Sequence, residues 1–277
     1  MPPSPRSYAI ALRAAIGQQR GMSIVFIGDI HRDWACVERG LARLETLPRA
    51  AVLMGDIECT APLDELAAPL LSRGIDVFWI SGNHDNDGGP EMWANLADRA
   101  RNPITSAGAL HGRVMSIGGL RVAGLNGIFR PRVWDPKRAP GLRHRHELPE
   151  NLAKLGNSLS ADHVKALTHS LSTIAIWPED VDAMSCLRAD VLVVHDAPGS
   201  HRDGHQVLTD LAQAMGARLI VHGHHHVSYL SQHASGLRAM GVGAAWGLSL
   251  SGEVMWRGEP PRIPGVPGSD WTILAEL

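Results

Sequence analysis

The sequence predicts an α/β domain in which two β-sheets pack together with helices outside. Three observations carry that reading. Apolar runs of strand length alternate with helical spacing over residues 23–80, as in a βαβαβ unit with parallel strands and right-handed crossovers. A second set of short apolar runs follows residue 190. No repeat or long linker divides the chain, and its 277 residues, 44% of them hydrophobic, suffice for one substantial core.

Residues 23–27 form the first apolar strand, closed by Gly28. Residues 34–47 have helical spacing, with Val37, Leu41 and Leu44 on one face. Residues 51–54 read as a second buried strand. A helix bearing Leu63, Leu66, Leu70 and Leu71 then stops at Gly74, and residues 76–80 are the third strand. Residues 113–117 and 120–125 flank Gly118-Gly119, a hairpin signal. From about 130 to 160 the chain reads as a loop insert rich in Pro, Arg and His, with weak helical character over 149–155 and 161–172. A helix is expected over 179–187. Residues 191–194 are a strand ending at His195, 207–215 an amphipathic helix, and 218–221 a strand running into a histidine block. Residues 237–242, 245–250 and 253–256 read as successive antiparallel strands. The domain is thus expected over 22–259, with an N-terminal extension at 1–21 and a C-terminal tail at 260–277 whose first part, 260–267, is Pro-rich and extended.

The net charge of −2 and pI near 6.7 give no overall basic charge to favour nucleic acid or an anionic membrane as partner. Three widely spaced cysteines, Cys36, Cys59 and Cys186, form neither a zinc-knuckle pattern nor a disulfide framework. They read as thiols in a reducing compartment. No apolar run approaches the roughly 20 residues of a membrane span. Arg13 interrupts the apolar stretch at 8–16, so a secretory signal is not expected and a cytoplasmic location follows by default.

Five polar blocks stand in order where strands should end: Asp29-Ile30-His31, Gly55-Asp56, Gly82-Asn83-His84-Asp85, His195 and Gly223-His224-His225-His226. In a parallel sheet, ligands gather beyond the carboxyl ends of the strands. Asp29 and His31 alternate, as do His224 and His226, so each pair can face one way. A carboxylate at Asp56 can bridge two cations, and Asn83 offers a neutral amide oxygen. Taken singly, each block is an ordinary turn or helix cap. As a set they supply the carboxylate, imidazole and amide donors suited to two divalent ions, with Mn favoured and Fe or Zn also compatible. Such a centre hydrolyses phosphate esters by binding phosphoryl oxygens and generating hydroxide.

With these blocks the chain resembles the calcineurin-like metallophosphoesterases. That family shows Asp-x-His, Gly-Asp, Gly-Asn-His-Asp/Glu, a His and Gly-His-x-His, and all five parts occur between Asp29 and His226. The resemblance implies a four-layer α/β/β/α sandwich with two mixed β-sheets. It implies one ion on Asp29, His31, Asp56 and His226, and a second on Asp56, Asn83, His195 and His224. His84 would act near the leaving group as a general acid, with Asp85 orienting it. The chain departs from the protein Ser/Thr phosphatase branch, which reads Gly-Asp-x-x-Asp-Arg-Gly where this chain has Gly55-Asp56-Ile57-Glu58-Cys59. Residues 124–129 and 146–149 are loosely similar to RNA lariat debranching enzymes, which leans the expectation toward a phosphodiester of a small or nucleotide-like substrate. A phosphomonoesterase, a nucleotide pyrophosphatase and a non-catalytic scaffold are the alternatives. Within the insert, Arg130, Arg132 and Arg143 are candidates to grip substrate phosphate.

Overall fold

The computed structural model of the chain describes residues 23–154, 160–260, 262, 265 and 267–277. The expected N-terminal extension lies outside the described residues, as do residues 155–159 of the insert and part of the Pro-rich stretch.

Strands β1 (Ile24–Ile27), β2 (Ala50–Leu53) and β3 (Asp76–Trp79) run parallel, with Ile24 beside Ala50 and Ala50 beside Asp76. The antiparallel strands β10 (Gly247–Ser249) and β11 (Val254–Trp256) extend them into a five-stranded sheet of order β11-β10-β1-β2-β3. The second sheet is built from β4 (Val114–Ile117), β5 (Leu120–Leu125), β6 (Val191–Val194), β7 (Leu219–His222), β8 (Tyr229–His233), β9 (Arg238–Gly241) and β12 (Trp271–Glu276). Its order is β12-β8-β9-β7-β6-β5-β4, with β5, β6, β7 and β9 parallel. Gly118 and Gly119 close the β4–β5 hairpin at φ of 60° and 79°, the positive values that primed two-residue turns require.

Strand alternation sorts the core into layers. Ile24 and Phe26 pack with Val191, Val193 and Val221 between the sheets. Val25 and Ile27 face outward onto Val37 and Leu41 of the helix Trp34–Leu41. Leu192 and Val194 face the opposite way, onto Leu208 and Leu211 of the helix Gln206–Ala214. The result is the four-layer α/β/β/α sandwich that the sequence motifs imply. No helix among the described residues is long and apolar enough to cross a membrane.

Four elements differ from the sequence reading. The first helix ends at Leu41, because Arg43 and Leu44 donate instead to Gly40 and Leu41 in tight turns. The Leu63–Leu71 segment breaks into two single-turn helices, with Pro69 in the first turn of the second, where its missing N–H costs least. The segments at 237–242 and 245–250 are not neighbours: β9 pairs with β7 and β8, and the chain then crosses to the other sheet as β10. The insert also carries structure of its own. Helices Leu148–Ala153 and Ala161–Ile174 bury Leu148, Leu152 and Leu171 with Val133 and Trp177 in a separate apolar cluster.

The C-terminal tail differs most. Residues 271–276 are not a free extension but strand β12, paired antiparallel with β8, and Trp271 is buried with Leu208, Leu211 and Leu237. Replacing Trp271 by Ala is therefore expected to cost about 3–5 kcal/mol. Urea unfolding followed by circular dichroism measures it, and a loss below about 1 kcal/mol would mark the tail as dispensable.

Candidate metal centre

All five polar blocks converge beyond the strand ends of the two sheets. Asp29, Asp56 and Asn83 follow β1, β2 and β3, while His195 follows β6, and His224 and His226 follow β7. The glycines of the blocks are the gaps that let side chains of one sheet reach the other. A methyl on Gly55 would lie 2.5 Å from His195 Nδ1, and one on Gly82 would lie 2.5 Å from His195 Nε2. A methyl on Gly223 would lie 2.5 Å from Asp29 Oδ1. The loops are also strained. His31, Arg32, Asp56, Glu58, His224 and His226 all hold φ between 44° and 69°, a region that non-glycine residues rarely enter.

The side chains fall into two groups. On one side, His31 Nε2 lies 3.0 Å from His226 Nε2, which is 3.5 Å from Asp29 Oδ2. On the other, His195 Nε2 lies 3.2 Å from Asp56 Oδ2 and 3.3 Å from Asn83 Oδ1. One ligand atom each from Asp56, His195 and His224 lies within 4.8 Å of the others. His195 Nδ1 donates to the Met54 carbonyl at 2.8 Å, which leaves Nε2 as the nitrogen that faces Asp56 and Asn83 and would take an ion once it gives up its proton. Asp29 is fully buried, and among the described residues neither oxygen has a hydrogen bond of good geometry, the His224 main-chain N–H approaching closely enough only to ease its charge. The donors present thus fit divalent ions of the Mn, Fe or Zn type.

The electrostatics have the same cause. Burial pushes the Asp29 carboxyl up to about 7, with Asp56 adding to the rise and His195 and His31 opposing it. Burial alone would lower His195, but the carboxylates of Asp56 and Asp29 raise it to about 10. Burial also works against the Asp56 carboxylate, yet His195 and the His84 main-chain N–H hold it well below the usual carboxylate range. Burial lowers His224 and His226, each to about 4. Without a metal, the centre therefore keeps a proton on His195 to balance its carboxylates.

His84 sits at the rim, 45% exposed, its ring 5.5 Å from that of His31. Its orienting partner is Asp87, whose Oδ2 accepts from His84 Nδ1 at 2.6 Å. Asp85, expected in that role, is fully buried and engaged elsewhere. Its Oδ1 accepts the N–H groups of Ile57 and Glu58, both at 2.7 Å, and its Oδ2 accepts that of Gly82 at 2.8 Å. It ties the Gly-Asp loop to the Gly-Asn loop, because buried main-chain donors demand acceptors.

The arginine candidates separate. Arg143 pairs with Asp182 at 3.4 Å and Arg132 reaches Asn151 at 3.4 Å, both on the exposed face of the insert and with no hydrogen bond or ion pair to the metal centre among the described residues. Arg130 is half-buried and follows Phe129, whose N–H donates to Asp196 and whose ring meets His205 at 4.6 Å. A further cluster, His201, Asp203 and His225, brings ligand atoms within 4.8 Å. The His201 and His225 rings stack at 4.0 Å and 16°, so no ion can lie in both ring planes, and the cluster is packing rather than a third metal site.

Three residues at the centre escaped sequence reasoning. Asp87 stands three positions after His84, an i,i+3 relation on a helical turn that was legible. Glu58 alternates with Asp56, but its contact with His31 needs the loop's positive φ and so had no sequence signal. Arg262, in the Pro-rich tail, donates its main-chain N–H to the His226 carbonyl at 2.8 Å, which nothing in the sequence indicated.

Comparison with known proteins agrees with the motifs. A family model described as calcineurin-like phosphoesterase matches residues 22–228. An uncharacterized protein of Haemophilus influenzae is 32% identical over 213 residues, which is 74% of this chain and 84% of that protein. The crystal structure of TT1561 of Thermus thermophilus aligns with TM-score 0.48 and 16% identity, covering 84% of this chain and 96% of its own. That of phosphopantetheinyl hydrolase from Mycobacterium tuberculosis aligns with TM-score 0.42 and 18% identity, covering 80% and 90%.

Metal ligands bind deprotonated, so ions must displace the His195 proton and, below pH 7, that of Asp29 as well. Manganese affinity is therefore expected to fall as the pH drops, by about tenfold per unit for each proton released. Calorimetric titrations in two buffers of different ionisation enthalpy count those protons. Identical heats in both buffers would contradict the assignment.

Proposed function

The chain belongs to the calcineurin-like phosphoesterase family, and from that premise we propose that it hydrolyses a phosphodiester of a small or nucleotide-like substrate at a two-ion centre. Asp29, His31, Asp56 and His226 would hold one ion, and Asp56, Asn83, His195 and His224 the other, with manganese the favoured metal. The observation that carries this reading is Asp29, a carboxylate fully buried without a hydrogen bond of good geometry among the described residues and faced by imidazoles from the opposite sheet. When bound, two such ions supply Lewis-acid charge and make water acidic enough to yield a nucleophile near neutral pH.

The chain's own residues do the rest. Asp87 accepts from Nδ1 of His84 and so directs Nε2 outward, where a protonated His84 can give its proton to the departing alkoxide. Asn83 orients through its amide beside His195. A diester, with its single negative charge, is favoured because cations beside the ligand blocks are already neutralised: Arg32 is paired with Glu58 and His84 with Asp87. The complete ligand set argues against a non-catalytic scaffold. The free state of Cys36, Cys59 and Cys186 supports a cytoplasmic location.

With manganese, kcat/KM for bis(p-nitrophenyl) phosphate should exceed that for p-nitrophenyl phosphate. The reverse ranking would favour a phosphomonoesterase, and activity confined to nucleotide anhydrides would favour a pyrophosphatase. His84→Ala should lower kcat by about 10²–10⁴-fold at unchanged metal content. Asp87→Asn should lower it less, while unchanged kcat in both variants would remove His84 from the chemistry.

A further inference from the structure

Glu58 is 15% exposed and both its oxygens are engaged. Oε1 lies 2.7 Å from His31 Nδ1, and Oε2 lies 2.6 Å from Arg32 Nη2. A carboxylate accepts, so the proton of this contact sits on His31 Nδ1 and the lone pair on Nε2, the atom facing His226. The contact is locked from both sides. The His31 N–H donates to the Asp56 carbonyl at 2.9 Å, and the Glu58 N–H donates to Asp85 at 2.7 Å. Glu58 itself holds φ 55°, a strained backbone that aims its side chain back at His31.

We infer that Glu58 is a positioning residue for metal binding: it fixes the tautomer and the ring orientation of His31, and so strengthens one ion of the pair and not the other. The asymmetry is visible in the two imidazoles. His31 Nδ1 faces a carboxylate, whereas His195 Nδ1 faces the neutral carbonyl of Met54. A carboxylate behind a ligating imidazole is worth about 10–100-fold in metal affinity. Removing Glu58 should therefore weaken only the ion held by His31. Arg32 acts one step further back, holding the second oxygen of Glu58 so that the first stays on His31.

This inference rests on the two-ion reading, and the experiment separates the two. Wild-type, Glu58→Gln and Glu58→Ala chains, stripped of metal, would be titrated with manganese by calorimetry. The histidine tautomers of the metal-free chains would be read from long-range 1H–15N spectra. Wild type should bind two ions, with His31 carrying its proton on Nδ1. In Glu58→Ala, one ion should weaken about 10–100-fold, the other should change by less than about twofold, and the Nδ1–H tautomer of His31 should no longer dominate. Glu58→Gln keeps an acceptor without the charge, so it should keep the tautomer and lose part of the affinity. It also decides the matter if Glu58→Ala fails to fold. Two ions bound equally well by wild type and both variants, or both ions weakened alike, would overturn the role of Glu58 and leave the two-ion reading intact. A wild-type chain that binds no ion would instead overturn the reading on which it rests.

Discussion

A buried carboxylate without a hydrogen bond of good geometry among the described residues is the constraint on which the rest of this molecule depends. Asp29 lies at the end of the central strand β1, fully shielded from water, with His195 at 3.6 Å and His226 at 3.5 Å as its nearest ionic partners. Left to itself such a group is among the most costly features a fold can contain, because burial removes the water that stabilises its charge. The chain spreads that cost over a second sheet. Histidines from β6 and β7 are brought against carboxylates from β1 and β2, so neither sheet alone makes an acceptable interior. The same arrangement that is awkward without a cation suits a pair of them, and stability and metal affinity are therefore one problem.

Bringing two sheet ends so close demands backbone that cannot carry side chains at certain points and is strained at others. Gly55, Gly82 and Gly223 sit where any Cβ would strike His195 or Asp29. Six polar residues accept left-handed conformations, each costing on the order of 1 kcal/mol or more. Asp85 is what holds the strain in place. Its three hydrogen bonds to main-chain N–H groups join the two loops that present Asp56 and Asn83, so neither can relax independently. A residue that looks from its motif like part of the chemistry is thus part of the frame. At the rim, the more exposed His84 pairs with Asp87 instead.

The legible and illegible parts of the structure divide along the range of the physics involved. Strands β1, β2, β3, β6 and β7 announced themselves through apolar runs, because a strand buried on both faces needs continuous apolarity. The candidate ligands could be picked out because each occupies a strand end followed by a short polar block. What failed were features set by contacts far apart in the chain. Strand β12 is amphipathic and follows prolines, so its pairing with β8 could be found only once Trp271 had a pocket among Leu208, Leu211 and Leu237. The switch of the chain from β9 to β10 passes through Gly243-Ala244-Ala245, where local sequence cannot say which sheet comes next. The hydrogen bonds of Asp85 lay out of reach for the same reason: its adjacency to His84 is visible in sequence, whereas the N–H groups of Ile57 and Glu58 are not.

The insert and the helix that follows it carry a small apolar core. Helices Leu148–Ala153 and Ala161–Ile174 bury Leu148, Leu152 and Leu171 around Trp177, and Trp134 joins this cluster to the one that carries β6 and β7. It is clamped by Arg145, which bonds Glu179 and Asp180 at 2.6–2.8 Å and lies over the Trp177 ring at 5.4 Å. Among the insert's basic residues, the guanidinium that looked interchangeable with its neighbours in sequence is therefore the structural one, and Arg132 and Arg143 are left on the exposed face. The cluster and its clamp do not include Asp29, Asp56 or the histidine block. Arg130 stands at the junction, one residue from the Phe129–Asp196 bond that reaches toward the ligands.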